Sequence, residues 1–312
     1  MTRKENILHF FRNTWKHRAH VLMALPTFLI MFFFLYVPMG GLIIAFKNFK
    51  PVKGIWGSAW AQGKWGIFEN FRFLVVNKDR FVRLTGNTLM YFLIFTILGT
   101  LLNVILAVCI DQMVFKKLGS ALQSILIIPI FISYAAVTFI VEAYLKADTG
   151  LINNVFGLTR NWYAQESQYY WILILTIVKM WNSVGYGSVL YMSVLAGVDQ
   201  QLYEAAQIDG ANKWQQIWHI TLPSLIPMVS VMLLLSVGNI MKSDTGLFYQ
   251  VTRYTNTDTT GVLDSYVLYA IQHTSDFSFP SAASFFQSVV GLALILIANA
   301  VVKKIQPEYA LI

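Results

Sequence analysis

Charge and thiols are what this chain has least of. Only 12% of its 312 residues are charged, and Cys109 is its single cysteine. A soluble globular chain carries about 25% charged residues, so half the usual supply for a water-facing surface is missing, which argues against a soluble enzyme. One thiol rules out an intrachain disulfide and any cysteine-built metal site. Disorder needs few apolar residues and many charges; here 56% of residues are apolar and the mean hydropathy is +0.57. Acidic residues number 15 against 23 basic ones, and Asp258, Asp264 and Asp276 lie too far apart in sequence to form a metal or nucleotide-sugar site on sight. No G-x-x-x-x-G-K-S/T stretch occurs, so the backbone cradle and lysine that hold nucleotide phosphates are lacking. The net charge of +8 is spread over loops without an arginine-rich run or a nucleic-acid motif. Contact with anionic lipid head groups accounts for it.

What the chain does have is long apolar runs. Uncharged stretches cover residues 19–46, 84–110, 118–141, 220–241 and 277–302, and a sixth, 167–198, is broken only by Lys179. At 1.5 Å of rise per residue, about 20 residues cross a hydrocarbon core about 30 Å thick. The pattern predicts an all-α integral membrane protein: one transmembrane domain over 1–312 with six spans near 19–46, 84–110, 118–144, 169–197, 220–242 and 279–302. The first run follows Arg3, Lys4, Arg12, Lys16 and Arg18, as a secretory signal would. It is about twice the length of a signal core and has no Ala-x-Ala site, so it reads as a retained helix.

Counting lysine and arginine gives an orientation only weakly. With the N-terminus inside, ten basic residues fall on the cytoplasmic side, Lys116, Lys117, Lys213, Lys303 and Lys304 joining the N-terminal five. Eight fall in the first external loop: Lys47, Lys50, Lys53, Lys64, Arg72, Lys78, Arg80 and Arg83. That loop interleaves Gly54, Gly57, Gly63 and Gly66 with Trp56, Trp60 and Trp65, as suits a folded interfacial segment. A second hydrophilic segment, 241–279, is expected outside, and a third, 199–223, inside.

The third segment reads DQQLYEAAQIDGANKWQQIWHITLP. Glu204, Ala205 and Ala206 favour helix, Asp209-Gly210 supplies a break, and a second, amphipathic helix is expected from Ala211 to His219. Pro223 is expected to open the fifth span, where its missing amide costs little. Glu-Ala-Ala, three residues, Gly, nine residues, Ile-x-Leu-Pro is a complete match to a known pattern: the segment resembles the EAA loop of ABC importer permeases. The first-helix exit at 36–60, the SVGNI run at 236–240 and the C-terminal stretches VLDSYVLYAIQ and SVVGLALILIANAVVKKI are similar to the LplB-like oligosaccharide or polysaccharide branch of that family.

The resemblance implies a type I importer fold whose EAA loop, 199–223, forms coupling helices docked on a cytoplasmic ATPase. Glu204, Ala205, Ala206, Asp209, Gly210 and Lys213 are then the coupling residues. ATP and Mg²⁺ would sit on two separate ATPase subunits, this chain holding no cofactor, metal or catalytic residue. Six spans make half a pathway, so a second permease subunit, expected to be a different chain, is implied, with an extracytoplasmic solute-binding protein. The location implied is a bacterial inner membrane, both termini cytoplasmic. Trp214 and Trp218 face one way and fit either a docking anchor or an interface belt.

Polar residues inside spans are costly and therefore informative. Lys179, Asn182, Ser183, Tyr186, Leu190 and Ser193 fall on one face of span four with Trp181 beside it, and Glu142 is the expected partner of Lys179. Ser236, Asn239 and Ser243 repeat the pattern in span five, and Thr96, Thr100 and Asn103 in span two. Such stripes fit inter-helix bonding or the wall of a sugar pathway. Sugars require hydroxyl-matching hydrogen bonds and aromatic faces, so Lys179, Trp181, Asn182, Tyr186 and Asn239 are the candidate pathway residues. Ser284, Ser288 and Gly291 read as small-residue packing; Gly185 and Gly187 fit packing or a flexible point. Competing classes are a same-fold importer for peptides, amino acids or other solutes, a lipid-linked glycosyltransferase, and a self-contained channel or secondary transporter.

Overall fold

The computed structural model describes residues 16–49, 65, 67–72, 78–274 and 277–305. Expectations resting on Arg3, Lys4 and Arg12, on residues 50–64 and Gly66, and on Asp276 lie outside the described residues. Among these, extended pairing amounts to one bridge, Lys47 to Trp65, and the regular structure is otherwise helical. The chain divides into two compact units, Met1–Phe71 with Asp276–Ala282, and Arg72–Ser275 with Ala283–Ile312.

The first unit contains α1, Arg18–Phe46. Pro38 has no N–H for the Phe34 carbonyl and its ring crowds that group. The helix widens into a π turn over Phe32–Tyr36 just there, then tightens to 3-10 geometry over Gly40–Phe46. Only 6% of its most apolar stretch is buried. A short helical turn, Ile67–Asn70, is tied to its end: the buried Asn70 amide donates to the Ala45 and Lys47 carbonyls, each at 3.0 Å.

The second unit holds α2 (Lys78–Asp111), α3 (Lys116–Phe131), α4 (Tyr134–Leu145), α5 (Leu151–Phe156), α6 (Tyr170–Leu195), α7 (Gln200–Ile208), α8 (Lys213–Val237), α9 (Leu263–Thr274) and the larger part of α10 (Ser278–Ile305). Five helices, α1, α2, α6, α8 and α10, are long and apolar enough to cross a membrane, and α3 with α4 makes a sixth span if the pair is counted as one. The segment expected as a straight span over 118–144 is bent by 99° between α3 and α4. Pro129 interrupts the helical ladder, Ile128–Phe131 becomes 3-10, Ile132 turns extended, and Ser133 restarts the helix by accepting the Ala136 amide at 3.4 Å.

α6 is the central element, packed along α2 and crossed closely by α3. A side-chain carbon at Gly185 would lie 1.8 Å from the Leu126 carbonyl oxygen, so only glycine permits this crossing. Trp171, Leu175 and Val178 of α6 form one core with Tyr91 of α2 and Val137, Val141 and Leu145 of α4. A second core, toward the EAA loop, joins Tyr191 and Leu195 to Ala107, Val108 and Leu225. Gly291 lies against the Gly238 backbone, as the packing reading expects, whereas Ser284 and Ser288 are exposed.

The segment after α8, expected as a hydrophilic external loop, is partly core. A π turn over Gly246–Val251 buries Leu247, Phe248 and Val251 against the α4–α6 cluster. Arg253, Tyr254 and Asn256 then take left-handed backbone conformations, each at a cost of about 1–2 kcal/mol for a non-glycine residue. They persist because the surroundings hold them: Arg253 pairs with Glu142, and the Asn256 amide donates to the Tyr163 carbonyl at 3.3 Å. Burial pushes the Tyr254 hydroxyl up to about 12, with the Arg80 guanidinium acting the other way, so it stays a neutral hydrogen-bonding group. Asn87 and Tyr91 of α2 clamp the carbonyls of Asp258, Thr259 and Gly261, while Arg83 pairs with the Asp258 side chain.

Candidate functional site

The EAA segment folds as a helix–turn–helix whose turn and caps are closed by local hydrogen bonds. Asp199 caps α7 by accepting the Gln201 amide at 2.9 Å. Gly210 takes φ +81° after the last turn, and the Ala211 amide closes back on the Ala206 carbonyl at 2.8 Å, a Schellman-type ending that requires a left-handed residue. Asn212 and Gln215 then cap the next helix reciprocally, at 2.9 and 2.7 Å. The amphipathic helix expected over Ala211–His219 is not separate. It forms the first turns of α8, which runs to Val237 through a π turn at Ile217–Thr221. Pro223 therefore lies within a continuous helix. Its ring opposes the His219 carbonyl, and the π turn absorbs the conflict as one does before Pro38.

The hairpin presents Glu204, Ala205, Asp209, Gly210 and Lys213 to solvent, with Ala206 half-buried. Around them Leu202, Ile208, Trp214 and Trp218 are exposed, Ile208 at 87%. An apolar surface rimmed by charges on a turn fits a docking surface, and Trp214 and Trp218 fit an interface belt equally well.

The span-four stripe is divided by the fold. Lys179 pairs with Asp244 at 3.2 Å, both side chains keeping a quarter to a third of their exposure, and its ammonium lies 3.4 Å from the Tyr134 hydroxyl. The expected Glu142 partner is engaged elsewhere, by Arg253. Glu142 is nearer to Lys179 in sequence, but the inward fold of 241–251 brings Asp244 beside α6. Asn182 is buried, its amide donating to the Pro129 carbonyl at 2.7 Å and its oxygen accepting from Tyr134 at 3.2 Å. It adds a second donor to the Pro129 carbonyl, which already accepts the Ile132 amide at 3.1 Å within the bend between α3 and α4.

Ser183 is half-buried and bonded to the Lys179 carbonyl, while Tyr186, Leu190 and Ser193 are exposed. Trp181, 44% exposed, is a ridge between two apolar grooves of about 650 and 460 Å³. Asn239 is exposed at the end of α8, Ser243 is bonded to Asp264, and Asn103 lies against Gly187 between α2 and α6. Lys179, Tyr186 and Asn239 thus remain reachable, whereas Asn182 is committed to the fold.

Sequence reasoning missed three participants. Asp244 was detectable in principle, since a lysine within a span needs an acid and few acids are present. Tyr134, which links Lys179 and Asn182, gave no signal beyond its place after a proline. Tyr203, within the EAA segment, is hydrogen-bonded to Thr221 at 3.0 Å, and only the fold shows it.

A helical membrane protein with five candidate spans, six if α3 and α4 count as one, and an exposed, charge-rimmed hairpin between α6 and α8 has the architecture of an ABC importer permease. Residues 99–310 match the family described as binding-protein-dependent transport system inner membrane component, and the chain belongs to that family. It is 32% identical to protein LplB of Bacillus subtilis, over 95% of this chain and 91% of that one. It is 33% identical to the polygalacturonan/rhamnogalacturonan transport system permease protein YteP of the same organism, over 92% and 88%. Among solved structures it resembles a bacterial ABC transporter that imports the acidic polysaccharide alginate, with TM-score 0.82 and 27% identity over 96% of this chain and 99% of that one. A second structure of a bacterial alginate ABC transporter, in complex with an alginate pentasaccharide-bound periplasmic protein, matches with TM-score 0.79 and 27% identity, over 95% and 97%.

Proposed function

We propose that this chain is the permease subunit of an ATP-driven importer that admits oligosaccharides delivered by an extracytoplasmic binding protein. The observation that carries the reading is the EAA hairpin: capped at both helices, closed by Gly210 and exposing Glu204, Asp209 and Lys213 beside bare apolar side chains. A cytoplasmic ATPase pair would dock there and supply ATP and Mg²⁺, and a second permease chain would complete the pathway. The hairpin then lies inside, with both termini, and the α4–α6 core with the Asp244 segment lies toward the outside. Carbohydrate as substrate is supported by YteP, named for polygalacturonan/rhamnogalacturonan transport, and by the two alginate transporters. Lys179, Tyr186 and Asn239 are the side chains this chain offers to the passing sugar, with Trp181 at its margin.

Affinity purification from the native membrane should recover a second permease in equal proportion with this chain, and two ATPase subunits for each such pair. Gly210→Asp and Glu204→Lys should then abolish substrate-stimulated ATP hydrolysis and uptake while the spans remain inserted. Survival of both activities would refute the coupling role. Uptake of pectic and alginate oligosaccharides, set against peptides and amino acids, distinguishes the carbohydrate reading from a same-fold importer for other solutes. Trp181→Ala should weaken uptake without loss of assembly, and unchanged kinetics would remove it from the pathway.

A further inference from the structure

α7 turns most of its surface outward. Leu202, Glu204, Ala205 and Ile208 are exposed, and only Tyr203 and Ala206 are directed toward the body of the protein. The Tyr203 hydroxyl meets the Thr221 hydroxyl at 3.0 Å. Thr221 is fully buried and ends the π turn at the foot of α8. The covalent route between the two helices is stiff, fixed by the Gly210 closure and the Asn212–Gln215 cap. By contrast the π turn is a helical segment with an extra residue in the turn, weaker bonding geometry and a tendency to occur where helices deform in function. Next to it Gln216 is 2% exposed; its amide nitrogen donates to the Ala211 carbonyl at 3.2 Å, yet its Oε1 is buried without a hydrogen-bond partner. A buried acceptor left unbonded costs free energy in the arrangement seen and can gain a donor in another.

We propose that Tyr203 and Thr221 form the joint through which movement of α7 reaches span five. Tyr203 is a positioning residue: it touches neither substrate nor nucleotide, and its hydroxyl makes α7 and the foot of α8 move together. The π turn set by Pro223 is the compliant element, so a tilt of the coupling helix re-aims α8 instead of being lost in the loop. This inference rests on the ATP-coupled reading above, and its test separates the two.

The experiment uses the purified complex with Cys109→Ser and a bimane fluorophore on Lys242→Cys, exposed in the turn that follows the far end of α8. The readout is the fluorescence change on trapping with ATP and vanadate, which needs no knowledge of the sugar. Tyr203→Phe and Thr221→Val should keep the ATPase bound and hydrolysing but reduce the change, one hydrogen bond being worth about fivefold in the equilibrium between the two positions of α8. Thr221→Ser, which restores the hydroxyl, should recover it, and the double variant Tyr203→Phe/Thr221→Val should be no worse than either single one. Wild-type fluorescence in both hydroxyl deletions, or a Thr221→Ser variant as defective as Thr221→Val, would overturn the joint. Loss of the ATPase from Tyr203→Phe would overturn it too, making Tyr203 a docking residue. If the unsubstituted chain recovers no ATPase, the coupling reading itself fails and the joint falls with it.

Discussion

Lys179 shows how a single residue constrains a span. A lysine at the centre of a membrane helix costs about 2.5–3.5 kcal/mol on insertion scales, and here Asp244 and the Tyr134 hydroxyl receive it. Lys179→Met alone leaves Asp244 without its counter-charge. The expected loss is about 2 kcal/mol, below the roughly 3–5 kcal/mol of a fully buried pair because both groups retain some exposure. Lys179→Met with Asp244→Asn should recover more than half of it. Thermal unfolding of the four species in detergent, read as a double-mutant cycle, checks this; strict additivity would mean that the pair does not interact. Gly185 is constrained sterically. Gly185→Val places atoms inside the Leu126 backbone, and loss of folded protein in size-exclusion profiles is expected, whereas the exposed Gly197 should tolerate alanine.

At the scale of elements, apolar run length revealed five helices, because length and lack of charge are what a bilayer demands. It could not reveal the bend in the sixth. Pro129 signals a weak point, but the bend is held by groups distant in sequence: Asn182, 53 residues away, adds a donor to the Pro129 carbonyl, and Gly185 lets the Leu126 backbone pack on α6. Nor could it reveal that 246–251 is core, since polar flanks hide Leu247, Phe248 and Val251 from any window average. The EAA hairpin was the most legible part, since its turn and caps are local: Asp209-Gly210 and Asn212 act within four residues. Only its second helix was misjudged, because a π turn lets α8 continue where Pro223 suggests a start. Asn212→Ala should cost about 1 kcal/mol at that cap. Hydrogen exchange should quicken over residues 211–217 while the amides of α6 are unaffected; equal quickening in both would mean that the hairpin is not an independent unit.

For the whole molecule, orientation is the open quantity that a simple measurement fixes. In a Cys109→Ser background, a cysteine at Asp148 should react with a membrane-impermeant maleimide applied to intact spheroplasts, and one at Lys116 only after permeabilisation; the reverse pattern would invert the topology. The broken span bears on how the molecule is made. α3 has 16 residues, about 24 Å at 1.5 Å each, too short to cross a core of about 30 Å unaided. In its bent form the Pro129 carbonyl accepts the Ile132 amide at 3.1 Å and, as a second donor, the Asn182 amide of α6. A nascent chain that has not yet yielded α6 lacks this second donor and the Gly185 surface against which the Leu126 backbone packs. An ordered biogenesis is therefore the expectation tested: residues 116–145 cross first as a provisional straight helix and take their final bend when α6 arrives. Ribosome-bound chains truncated before and after Asn182 should differ in lipid crosslinking at Ile132, and identical patterns would show that the bend is formed without α6.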